Sequence, residues 1–328
     1  MARSVRIIGA GWYGCNLAYG LLGRGYDVVL SERAGIFAGA SGANPARLHQ
    51  GFHYPRSRLT RVFCQEHQKA FMDRYGSLTR SVPINIYAVA LDASLVDFGT
   101  YCQILRNEIE FIDIYDPGEF GLENVEGAVL TGERHIVISK ARDFFEKELA
   151  GCLNIGEETG QTNLAFDWEI DCTFCANDRE NIDRYEPCVT VLLEGPSDKA
   201  VTVMDGPFPS VYPWDEKLGL SSLTSAKFTP LDKCKTWEEA NIVLNSTKQN
   251  EVATRAIAML EQIAYYWPQV RDLYRIADYR FGIRAMPKSA ADARLVEVIR
   301  TGERKLRVRA GKIDAVIHAE NLICEMIG

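Results

Sequence analysis

The sequence predicts an α/β chain: a Rossmann-type domain, discontinuous in sequence, with an inserted domain built on a mostly antiparallel sheet. Three observations carry this. The chain opens on a strand, a glycine turn, a helix and a second strand in "SVRIIGAGWYGCNLAYGLLGRGYDVVLSER". From Pro187 onward it reads as strands punctuated by Gly, Pro and Asp. Its 328 residues suggest two domains, or one large domain with an insertion.

Within the opening unit, Val5 to Ile8 is a short apolar run suited to a buried parallel strand. Gly9, Gly11 and Gly14 form GxGxxG. A helix is expected from Tyr13 to Leu22, with Leu17, Leu21 and Leu22 on its inner face, ended by Gly23 and Gly25. "YDVVLSE" is the second strand, and Glu32 closes it, 23 residues after Gly9. Gly9 permits the tight turn, Gly11 leaves room for a pyrophosphate, and Gly14 lets helix and strand approach. The helix start offers free N–H groups and a positive dipole end to phosphate. Glu32 can accept hydrogen bonds from both ribose hydroxyls. The motif has the strand–turn–helix setting and the acid that dinucleotide binding requires.

The stretch "GASGANPARLHQGFHYPRS", Gly39 to Ser57, has neither helical nor strand periodicity. Its small residues suit close passage beside a cofactor, and Arg47, His49, His53, Tyr54 and Arg56 supply a polar and aromatic lining. A chain using NAD would continue promptly into further βα units, so this segment favours FAD. Beyond it, a helix is expected at Arg58 to Tyr75, with Leu59, Val62, Phe63 and Phe71 on one face. A strand "INIYAVAL" and a helix at Leu95 to Arg106 follow. "HIVISKARDFFEKELAG" reads as a strand feeding a helix. "CVTVLLEG", "AVTVMDG", "PSVYPW" and "LSSLTSAKF" are antiparallel strands. A long helix from Asn250 is interrupted at Pro268. The expected division places residues 1–80, 131–177 and 276–328 in the dinucleotide domain, and 81–130 and 178–275 in a substrate domain.

Composition sets limits. Hydrophobic residues make up 47% and charged residues 25%, enough for a sizeable core. The net charge of −7 argues against general attraction to nucleic acid or anionic membrane. No run of about 18 apolar residues suggests a membrane span. The N-terminus lacks the apolar region of a signal peptide. Nine scattered cysteines then read as reduced thiols of a cytoplasmic protein. Cys172 and Cys175 form a lone CxxC, without the second pair a zinc site wants. The five histidines have no HxH or HExxH spacing, so no metal is expected.

GxGxxG at the N-terminus, Glu32 and the Gly39 to Ser57 stretch together resemble the FAD-dependent oxidoreductases of the D-amino-acid oxidase superfamily, which includes glycine oxidase and sarcosine oxidase. "YRFGIRAMPKS", Tyr279 to Ser289, resembles that family's Gly-hydrophobic-Arg-x-x-Pro element. "GKIDAVIHAENLICEMI" stands where the family has its last flavin-contacting turn and helix. The resemblance covers both ends of the chain well and the middle poorly. It implies a Rossmann-type FAD-binding domain. Gly9, Gly11 and Gly14 would hold the pyrophosphate, Glu32 the ribose and Arg33 the adenine. Ser41 would reach the phosphate and ribityl region. Arg47, His49 and the Gly51 to Tyr54 run would pass near the isoalloxazine, with His53 and Tyr54 as catalytic candidates. Gly311, Lys312 and Ile313 would face its N1/C2 edge. Arg284 would pair with a substrate carboxylate, or serve as a structural ion-pair partner. A covalent flavin link through His49 or His53 is a further reading. Two features depart from the family: the C-terminal turn reads "RAGKIDAV", and "WEIDCTFCAND" replaces the usual strand ending in Ala-Thr-Gly.

The function expected is oxidation of the C–N bond of a small amine or amino-acid-type substrate. Hydride would pass to flavin N5 and the imine would hydrolyse. Tyr212 and Trp214 either wall this pocket or pack the sheet. "VIRTGERKLRVRAGK" carries Arg300, Arg304, Lys305, Arg307, Arg309 and Lys312. It is a solvated strand face, or the rim of a site for an amine borne on modified thymine in phage DNA. A non-catalytic dinucleotide-binding protein is the third reading.

Overall fold

The computed structural model describes residues 3–156, 165–174, 176, 182–288 and 295–328. Strand β1 (Ser4–Ile8), helix α1 (Trp12–Gly23) and strand β2 (Asp27–Glu32) form where the periodicity predicts, with Leu17 and Leu21 buried but Leu22, expected on the inner face, exposed. β1 pairs in parallel with β2 on one side and with Trp168–Asp171 on the other. The sheet grows to six strands in the order Glu297–Gly302, Lys305–Arg309, Trp168–Asp171, β1, β2, Leu153–Ile155. Only Glu297–Gly302 runs antiparallel to its neighbour. "WEID" is thus an inner strand here, and its Val5↔Trp168 register carries Cys172 to the glycine turn. Cys172 is buried there; Cys175 lies outside the described residues.

α1 and the helices Ile138–Glu148 and Val316–Ile327 contribute to one core with this sheet. Its centre is aromatic: Trp12 stacks on Phe37 at 4.9 Å and meets Phe71, Tyr75 and Phe145 at 5.5–6.0 Å. Each such side chain contributes about 1.5–3 kcal/mol through burial. One buried acid completes the packing. Glu320 accepts from Asn16 and pairs with Arg74 and Arg24. Gly20 makes room for it, since a Cβ there would lie 2.3 Å from the Glu320 carboxyl carbon.

The second sheet has eight strands: Arg275–Pro287, Ile182–Glu194, Leu220–Ser225, Pro209–Asp215, Lys199–Met204, Ile84–Ala90, Val125–Thr131 and Phe111–Ile114. Every neighbouring pair is antiparallel except Lys199–Met204 beside Ile84–Ala90. The helix Gln249–Tyr266 stops before Pro268 and buries Val252, Ala256, Met259 and Ile263 with this sheet. One expected boundary needs correction. Residues 276–287 do not join the β1 sheet; they pair with Ile182–Glu194 from Ile182↔Pro287 to Glu194↔Arg275. Strand periodicity marks a strand but not which sheet accepts it.

A small three-stranded sheet, Arg47–Leu48, Arg134–Ile136 and Thr79–Ser81, carries Arg47 beside the residues flanking Glu133. The helix Arg58–Tyr75 has the predicted ends; Ser57 Oγ caps it by accepting from Thr60 N–H at 3.4 Å. The helix expected from Leu95 starts later, at Phe98, because Asp97 caps it through Thr100 N–H. Among the described residues no helix is long and apolar enough to cross a membrane.

Candidate active site

The first half of the site is the glycine turn. Gly9 has φ +98°, a conformation L side chains rarely adopt, and a Cβ there would sit 2.9 Å from Cys172 O. A Cβ on Gly14 would sit 1.8 Å from Gly9 O, so only glycine lets α1 start this close to β1. The α1 N-terminus has no side-chain cap at Gly11 and no acid in its first turn. Trp12 N–H donates to Ser41 Oγ at 3.0 Å, which places Ser41 at this helix end. A Cβ on Gly11 would fill the gap, 3.0 Å from Ser41 Oγ. Glu32 stands at the same turn and accepts from Ala10 N–H and Ala34 N–H at 2.8 and 2.9 Å. Arg33 follows it, exposed.

The second half is a polar cluster between the two large sheets. Arg47 is buried, and its guanidinium donates to Tyr87 Oη at 3.0 Å and to Ser210 Oγ at 2.6 Å. It lies 4.2 Å over the Tyr212 ring. Tyr87 in turn donates to Glu133, which is fully buried and also accepts from Gln50 N–H at 2.7 Å. Burial pushes the Glu133 carboxyl up, against the pull of Arg47, Tyr87 and the Gln50 amide. His49 Nδ1 lies 3.8 Å from the same carboxylate. The rings of His49, His53 and Tyr54 meet at 5.4–5.8 Å. Burial, then the charge of Arg47, holds His53 well below the usual imidazole range, so its ring is neutral near pH 7.

The C-terminal turn joins the two halves. Tyr13 Oη donates to Lys312 C=O at 2.6 Å and accepts from Gly311 N–H at 3.1 Å. Residues 311–313 are thereby fastened to the first turn of α1. The Lys312 ammonium sits 4.2 Å over the Tyr54 ring. Burial drives Lys312 down and its neighbour Asp314 up, each partly countered by the other. The Cys64 thiol reaches the Asp314 carboxylate, and Arg47 Nε lacks a hydrogen-bond partner. A helix start without an acid in its first turn, a cradle closed only by glycine, and a buried guanidinium nitrogen without a partner fit a large polar cofactor. No cluster of three metal-ligating side chains occurs among the described residues.

A family model described as FAD dependent oxidoreductase matches residues 4–108. The chain is 35% identical over 340 residues to the FAD-dependent monooxygenase FPY4 of Fusarium mangiferae, spanning 99% of this chain and 91% of that protein. The chain belongs to the FAD-dependent oxidoreductase family. FAD is the cofactor of this flavoenzyme. The FAD-dependent monooxygenase kojA of Aspergillus flavus is 28% identical over 366 residues, spanning 98% of the flavoenzyme and 85% of kojA. The fold of this chain matches glycine oxidase from Geobacillus kaustophilus with a TM-score of 0.69 at 14% identity, covering 99% of this chain and 95% of that one.

Several expected site residues of the flavoenzyme come together: Arg47, His49, His53, Tyr54 and Lys312 in the cluster, and Gly9, Gly11, Gly14, Glu32 and Ser41 at the turn. Three expectations meet particular contacts. Of the two readings of Arg284, the structure shows the ion pair: its Nε donates to buried Glu186 at 2.9 Å, and Arg184 shares that acid. Gly51, at φ +115°, faces protein; a Cβ there would meet Ile109 Cδ1 at 3.1 Å and Arg61 Cα at 3.2 Å. The basic run is not a free patch. Arg304, Lys305 and Arg307 pair with Asp167, Glu169 and Asp171, and Arg309 pairs with Glu297. Arg300 lies over Trp168, and Lys312 is buried. Tyr212 and Trp214 are both buried, with Tyr212 under Arg47 and Trp214 Nε1 donating to Asn44 C=O.

Glu133, Tyr87, Ser210 and Arg61 escape sequence reasoning. Arg61 Nη1 donates to the Tyr54 and Pro55 carbonyls at 2.9 and 2.6 Å while its Nε holds Glu108 at 2.6 Å, fixing the loop that carries His53. The one available signal was Tyr87 and Tyr212 at inward strand positions.

Proposed function

We propose that FAD lies across both halves of this site. Its diphosphate meets the Gly9 to Gly14 turn and Ser41, its ribose Glu32, with Arg33 beside the adenine. Its isoalloxazine lies against Arg47, His49, His53 and Tyr54 on one side and Gly311 to Ile313 on the other. The sheet built on β1 then serves the cofactor, and the eight-stranded sheet serves the substrate. On this reading the enzyme oxidises the C–N bond of a small amine or amino-acid-type substrate.

The observation that carries the reading is the placement of two buried cations on the aromatic loop, Arg47 3.5 Å from His53 Nδ1 and Lys312 4.2 Å over Tyr54. Arg47 and Lys312 flank a neutral His53. The burial and, after it, the positive charge that hold the His53 imidazole down also disfavour a substrate ammonium, and only the free amine has the lone pair that C–H cleavage needs. When bound, FAD supplies the two-electron acceptor. Tyr54 and His53 wall the substrate position, and Lys312 and Arg47 place positive charge where the cofactor gains electrons. Burial of the cluster excludes water and strengthens these fields.

A second reading, oxygen insertion, has the support of the monooxygenase names of two relatives. Isotope labelling separates the two. Under the amine reading the oxygen of the carbonyl product comes from labelled water, and no pyridine nucleotide is needed. Label from molecular oxygen in the product, with a requirement for a nicotinamide reductant, would replace the first reading with the second.

A further inference from the structure

Glu133 is a fully buried carboxylate in the middle of the cluster, and the reading above gives it no task. Its surroundings are well defined. Tyr87 donates to one oxygen and Gln50 N–H to the other. Tyr87 also accepts from Arg47, so the acid is linked to the guanidinium through one phenol. His49 stands at 3.8 Å. Asn85 Nδ2 donates to the Glu133 backbone carbonyl at 3.0 Å and fixes the residue itself. The cluster therefore holds two buried cations, Arg47 and Lys312, set against two buried acids, Glu133 and Asp314. Asp314 sits on the C-terminal turn beside Lys312, whereas Glu133 answers Arg47 from the strand side.

We propose that Glu133 is the buried counter-charge of Arg47 and that, by offsetting that cation, it sets the reduction potential of bound FAD. The inference rests on the placement of the isoalloxazine against Arg47 given above. Adding two electrons to a cofactor is easier in a more positive surrounding. A carboxylate relayed to Arg47 through Tyr87 lowers that positive field without contacting the cofactor. Glu133 is thus a positioning and charge-setting residue, and Tyr87 is its relay.

Glu133→Gln keeps the shape and the acceptor for Tyr87 and removes the charge. The test is the midpoint potential of FAD in the purified holoenzyme, measured by dye equilibration from pH 6 to pH 9. No substrate is needed, so failure of the amine reading leaves this measurement intact. The expected result is a more positive potential in E133Q at pH 8 to 9. The difference should shrink on acidification, because the wild-type acid then takes up a proton and matches the variant. Equal potentials at pH 8 to 9, or a more negative one in E133Q, would overturn the proposal. Glu133→Asp retains the charge and should stay near wild type; an E133D potential as high as that of E133Q would also overturn it. Should E133Q fail to load FAD, Tyr87→Phe strips one hydrogen bond from the acid and favours its protonated form, so it should move the acid limb of the potential–pH curve to higher pH; an unshifted limb refutes the role.

Discussion

Three glycines of α1 offer one substitution with opposite expected signs. Gly14→Ala puts a methyl 1.8 Å from Gly9 O. Restoring ordinary contact requires a shift of roughly 1.5 Å between helix and turn. Overpacking of that kind costs about 1–3 kcal/mol, here toward the upper end because both partners are backbone. The same shift carries the α1 N–H groups away from the phosphates, so FAD affinity should fall at least about tenfold, or about 1.4 kcal/mol. Gly20→Ala meets the Glu320 carboxyl carbon at 2.3 Å and breaks the Arg74 pair, at about 3 kcal/mol. Gly23→Ala has nothing within 4 Å and ends the same helix. It should stabilise by about 0.5–1 kcal/mol, since alanine loses less backbone freedom. Denaturant unfolding of the three apo variants, with FAD titration of each, is the assay. A Gly14→Ala variant as stable as Gly23→Ala, with FAD affinity unchanged, would refute the packing of α1 on this turn.

Further consequences follow from other contacts. Tyr13→Phe removes the hydroxyl that ties Gly311 and Lys312 to α1 and should weaken FAD binding by about 1–2 kcal/mol, read by fluorescence titration. Arg284→Gln leaves buried Glu186 with Arg184 alone; it should lower stability and leave KM within about twofold, whereas a large rise in KM would return Arg284 to the substrate site. His135 is 1% exposed, and burial lowers its pKa to about 4. The unfolded chain therefore binds the proton first, and stability should fall by up to about 3 kcal/mol as pH drops from about 6.5 to 4. His135→Gln should flatten that limb in thermal melts across the range, and an unchanged limb would assign it to other groups.

The parts of the site legible in the sequence were those whose logic is local. The glycine turn and Glu32 are set by spacing within one βαβ unit, and the helix Arg58–Tyr75 by its period, although Leu59 of the expected inner face is exposed. The Gly39 to Ser57 stretch stood out because it has no period to explain. What was left open depends on partners far along the chain. Arg284 meets Glu186 98 residues away, and Lys305 and Arg307 meet acids 136 residues away on the adjacent strand. Basic residues in a row look free until the neighbouring strand is known. Glu133 was invisible for the same reason. In "TGERHI" it is an ordinary loop acid, and only the folded chain seals it between Tyr87 and Gln50.

The central claim is that the two ends of the chain close around one flavin ring, with Arg47, His49, His53 and Tyr54 on one side and Lys312 on the other. A crystal structure of the FAD-loaded protein tests it most directly. The account expects the diphosphate at the α1 N-terminus and the isoalloxazine in contact with Tyr54 and the residue 311–313 turn. A ring located away from both segments, or a diphosphate elsewhere than the Gly9 to Gly14 turn, would contradict it.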